Sequence, residues 1–66
     1  MTYGYNGYAA RVRERTGREP YRAQVRLLEA LGIIHPMKSD SGWRQFSDHD
    51  IDATCEWITA NTRVSA

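Results

Sequence analysis

Sixty-six residues make one domain, and a chain of this size buries only about 60% of the surface that its unfolded form exposes. A core this small encloses no deep substrate cavity, which argues against an enzyme. The formal net charge of +1 hides an asymmetry: residues 1–38 carry seven Lys and Arg against three acids, a net +4, and residues 39–66 carry two against five, a net −3.

The lone cysteine, Cys55, excludes an intramolecular disulfide, and its place in an apolar pattern predicts a small buried hydrophobe. His35 and His49 have no ligand partners at useful spacing, so no metal or cofactor is expected. The longest apolar run, Leu31 to Ile34, is interrupted by Gly32 and is too short for a membrane span or a signal-peptide core. These features predict a soluble, cytoplasmic protein with no small-molecule ligand.

Gly4 and Gly7 predict an irregular start over residues 1–7, with Asn6 as an N-cap. The first helix is predicted over Tyr8–Thr16, burying Tyr8, Ala9 and Val12 and ending at Gly17. Pro20 suits the first position of a second helix, predicted to run to Leu31 with Gly32 as its cap. At helical spacing Tyr21, Gln24, Val25, Leu28 and Leu31 share one face, with Leu27 at its edge. Arg22, Arg26, Glu29 and Ala30 lie opposite.

Ile33–His35 is predicted as a short strand closed by Pro36, and Trp43–Phe46 as its hairpin partner across the turn-rich Met37–Gly42. Ser47, with Asp50 three residues on, forms a capping box for a third helix. Asp48, Asp50 and Asp52 complement its dipole. Ile51, Thr54, Cys55 and Ile58 mark the buried face of this helix, which is predicted to end near Asn61, leaving 62–66 irregular. The order helix, turn, helix, hairpin, helix predicts a mainly α domain with a small β-hairpin. It suits a winged helix-turn-helix, with Gly17-Arg18-Glu19 as the turn.

Residues 31–51 add a resemblance. Leu31-Gly32-Ile33-Ile34, Pro36, and then Ser41-Gly42-Trp43-Arg44-Gln45-Phe46-Ser47-Asp48-His49-Asp50-Ile51 resemble the DNA-binding domain of the MerR family. Upstream, Arg15-Thr16-Gly17 and Glu29-Ala30-Leu31-Gly32 resemble the ends of that family's first two helices. The chain departs from the pattern in a longer Thr16–Glu29 stretch and in Leu27-Leu28 where the family has a tyrosine pair. No long dimerisation helix follows Ile58, so a stand-alone unit is expected. Such units resemble phage excisionases, and Arg18-Glu19-Pro20 with Val25-Arg26 is similar to their pattern.

The expected partner is double-stranded DNA. Arg22 and Arg26, one turn apart around Ala23, are the candidates for base-edge contacts, because a guanidinium can bond guanine O6 and N7 together. Arg18 in the turn suits phosphate. Lys38, Ser39, Ser41 and Arg44 on the wing suit phosphate or the minor groove, and Asp40 at its tip does not. Trp43 and Phe46 read as packing residues that seat the wing, with base stacking the alternative. Trp57, Tyr3 and Tyr5 fit either the core or a contact with a partner. The resemblance implies self-association on DNA and assistance to an integrase. The alternatives are a small promoter-acting regulator and a winged-helix protein-interaction module.

Overall fold

The computed structural model describes residues 2–38 and 42–65. Ser39, Asp40 and Ser41, at the expected wing tip, lie outside the described residues. The elements are β1 (Thr2–Tyr3), α1 (Tyr5–Thr16), α2 (Arg22–Ala30), β2 (Met37–Lys38), β3 (Arg44–Ser47) and α3 (Asp48–Ser65). Three helices and one small antiparallel sheet, ordered β1-β3-β2, thus form a mainly helical protein. Among the described residues no helix is long and apolar enough to cross a membrane.

The start of the chain is more ordered than its glycines suggest. Thr2 pairs with Ser47 and Tyr3 with Phe46, so the expected irregular start contains a strand. α1 then begins at Tyr5, ahead of the expected position, with Gly4 rather than Asn6 as N-cap. Gly4 C=O accepts the first helical bond from Tyr8 N–H at 2.9 Å. At the far end Gly17 takes φ +77°, and its N–H closes on Arg13 C=O at 2.7 Å.

α2 is shorter than its apolar pattern implies. Tyr21 caps it with an extended backbone, and Gln24 Oε1 accepts the Tyr21 N–H at 2.9 Å, so Pro20 precedes the helix instead of opening it. Only Val25 and Leu28 are fully buried. Tyr21 (71% exposed) and Leu31 (60%) do not join the core face assigned to them, because a nine-residue helix sets only its middle turn against the core. Past Leu31, Gly32 at φ +75° lets its own N–H reach Glu29 C=O at 3.1 Å and Ile33 N–H reach Leu28 C=O at 2.9 Å. This pair of bonds closes a Schellman motif.

The same closure explains why Ile33–His35 is not a strand. The Ile33 and Ile34 amides both point at Leu28 C=O, and His35 N–H donates to Asp50 Oδ1 at 2.9 Å. Ladder pairing starts only after Pro36, with Met37 opposite Gln45 and Lys38 opposite Arg44. β3 runs one residue later than expected, which leaves Trp43 outside it and 74% exposed instead of packed.

The cap of α3 has the predicted form: Ser47 N–H donates to Asp50 Oδ2 at 3.0 Å, and Asp50 N–H donates to Ser47 Oγ at 3.2 Å. The helix continues past Asn61 to Ser65. Tyr8 and Val12 from α1, Val25 and Leu28 from α2, Ile34, Phe46, and Ile51, Cys55 and Ile58 from α3 form one buried cluster. Tyr8 and Phe46 stack at its centre, with ring centroids 4.0 Å apart. Thr54 Oγ1 donates to Asp50 C=O at 2.7 Å, so the 2.8 Å contact from Tyr8 is the phenol donating to Thr54 Oγ1. Burial raises the Tyr8 pKa to about 12, and burial likewise pushes the Cys55 thiol up.

Candidate nucleic-acid interface

The geometry of α2 follows from its two core anchors. With Val25 and Leu28 turned inward, 100° per residue places Ala23 and Ala30 directly outward and Arg22 and Arg26 on the flank toward β3. Arg18, Arg22, Ala23 and Arg26 are all exposed. Thr16 shapes the turn that leads there: its hydroxyl accepts the Arg18 N–H at 3.1 Å while donating to Val12 C=O at 2.8 Å.

Tyr5 positions the start of α2 from behind. Its hydroxyl donates to Pro20 C=O at 3.3 Å, and the Arg22 guanidinium carbon lies 5.6 Å from its ring centroid. The cation therefore lies over an aromatic face, and among the described residues it forms no ion pair. Arg22, Arg26 and Arg44 then border an open groove of about 190 Å³ between α2 and β3, with Tyr5, Val25, Gly42 and Trp43 completing its walls.

Arg44 differs from the other two. It is half-buried, its Nη2 meets Glu29 Oε1 at 3.3 Å, and its buried Nε has no hydrogen-bond partner among the described residues. The cross-strand register also sets Lys38 directly opposite Arg44, and like charges in that position repel. Glu29 offsets the repulsion and ties the strand pair to α2. Lys38 itself is exposed and has no ion pair among the described residues.

Three of the predicted residues thus converge on one groove. Arg18 does not reach it; it borders a separate recess of about 660 Å³ with Tyr21, Gln24 and Trp57. Ser39 and Ser41 lie outside the described residues. Sequence reasoning missed the part played by Tyr5 and the exposure of Trp43. The signal for Tyr5 was its spacing of three from Tyr8, which places both rings on one helical face and both against Phe46. Three cations lie on α1: Arg15 pairs with Asp52, whose hydrogen bond raises the arginine pKa, Arg11 lies 4.2 Å above the Tyr3 ring, and Arg13 is exposed. No protein-family model, curated protein or solved structure matches this chain.

Proposed function

We propose that this chain is a winged helix-turn-helix protein that binds duplex DNA, with α2 as its major-groove helix and the β2–β3 pair as its wing. The observation that carries the reading is the clustering of Arg22, Arg26 and Arg44 around one open groove, with Lys38 on the adjoining strand. Among the described residues the two ion pairs are Arg15–Asp52 and Arg44–Glu29, and of the cations on the α1–α2 turn, α2 and the wing this leaves Arg22, Arg26, Arg18 and Lys38 available to phosphate or base edges. The acids Asp48, Asp52 and Glu56 sit on α3 instead. The reading assigns no catalytic role to any residue.

Four or five phosphate contacts give a salt slope of about −4 in log K, so one copy binds weakly at physiological ionic strength. Useful occupancy then requires several copies side by side or a partner protein. This favours the narrower form of the proposal: an excisionase-like architectural role, in which cooperative copies bend attachment-site DNA and assist an integrase. The resemblance of Arg18-Glu19-Pro20 and Val25-Arg26 to excisionases supports the same form.

A gel-shift titration on DNA flanking the gene, at low and physiological salt, tests the reading with the wild type and Arg26→Ala. A ladder of cooperative shifts that Arg26→Ala weakens is the expected result. Direct repeats under the bound copies favour head-to-tail assembly. Palindromic half-sites favour a symmetric promoter regulator instead. No shift at either salt overturns DNA binding and leaves a protein-interaction module.

A further inference from the structure

We propose that Trp43 is a DNA-contacting residue whose indole packs against a deoxyribose ring, while Arg22 holds the adjoining phosphate. The inference rests on the duplex-DNA reading above and names how the groove grips a strand. Trp43 is 74% exposed, the most exposed of the large apolar side chains in the described chain. Phe46, not Trp43, fills the core beneath the sheet, so the indole gains nothing from folding by standing in water. It stands at the rim of the groove that Arg22, Arg26 and Arg44 border.

That combination selects a particular chemistry. The sugar-phosphate backbone alternates an anionic group with an apolar ring face, and an aromatic plane flanked by guanidiniums complements both. The acid that reaches the groove's cations, Glu29, is already committed to Arg44. Beside the indole, Gly42 takes φ +85°, and apart from its chain neighbours no atom of a described residue lies within 4 Å of where a Cβ would project. The backbone there leaves open space through which a strand can approach Trp43.

Two measurements on the full chain test the contact. In Trp57→Phe, Trp43 is the only tryptophan, and its emission is followed while the same duplex DNA, or inorganic polyphosphate, is added. DNA is expected to change the emission and polyphosphate, which carries charge without sugar, is expected to leave it unchanged. In the otherwise wild-type chain, Trp43→Ala is expected to weaken DNA binding about tenfold with an unchanged salt slope. Arg22→Ala is expected to reduce that slope by about 1.

An equal response to polyphosphate overturns the sugar contact. So does a Trp43→Ala affinity within about twofold of wild type while the arginine variants weaken, an outcome that leaves DNA binding standing. No binding by the wild type removes both readings together. Should Trp57→Phe unfold the domain, the affinity and salt slope of Trp43→Ala decide the question alone.

Discussion

Asp50 is 2% exposed, yet its carboxylate is fully occupied, because Oδ1 accepts the His35 amide and Oδ2 the Ser47 amide. One side chain thereby caps α3 and fixes the chain as it turns from α2 into β2. Asp50→Asn keeps the size but turns an amide N–H toward one of those backbone donors. A buried donor left unpaired costs about 1–3 kcal/mol, and a lowered denaturation midpoint with an unchanged m-value is the expected reading. Tyr8 contributes a pH dependence of its own. Its folded pKa of about 12 lies above the ordinary 10.0, so its contribution to stability is complete below pH 10 and is lost as pH rises toward 12. Alkaline titration of unfolding is expected to show that loss in the wild type and a shallower one in Tyr8→Phe.

Between elements, the Arg44–Glu29 pair joins the strand pair to α2, the two parts that the DNA reading assigns to one interface. Half-exposed pairs of this kind are worth less than about 1 kcal/mol, so Glu29→Gln is expected to leave the fold nearly as stable. It also frees Arg44 for phosphate. DNA affinity at low salt is then expected to rise, and the salt slope to steepen by about 0.9, the increment for one more phosphate contact. An unchanged slope shows that Arg44 does not reach DNA. The helix boundaries that chemistry marks were legible in the sequence: Gly17 and Gly32 at positive φ, and Ser47 with Asp50 at the start of α3. The strands were less so. β1 and β2 are two residues each, too short for a period of two to show, and the amides of Ile33 and Ile34 turn back to Leu28 C=O while that of His35 goes to Asp50. At the candidate site, Arg22 and Arg26 were legible as two cations one turn apart on the face of α2 away from the core, and Arg44 as a cation of the wing. The exposure of Trp43 was not, because it follows from where β3 begins.

Over the whole molecule, the charge asymmetry of the sequence becomes spatial. The cations that lack a described ion pair lie on α1 (Arg11 and Arg13), the α1–α2 turn, α2 and β2, while α3 carries Asp48, Asp52 and Glu56. A field divided this way orients the protein as it approaches a polyanion, an effect that weakens as salt is added. The contacts are also organised so that α1 and α3 pack together around Tyr8, Phe46 and Thr54, leaving α2 anchored by few side chains.

The strand order β1-β3-β2 has a kinetic side. The first strand pairs only with the last, so Thr2 and Tyr3 must wait until Phe46 and Ser47 exist and have been brought round. Closing so long a loop carries an entropic cost that grows as about (3/2)RT ln n with its length. A chain that is mostly helix thus carries a non-local closing step, which slows folding relative to a bundle of local contacts. During synthesis, β1 emerges before the strand it pairs with and must wait for it.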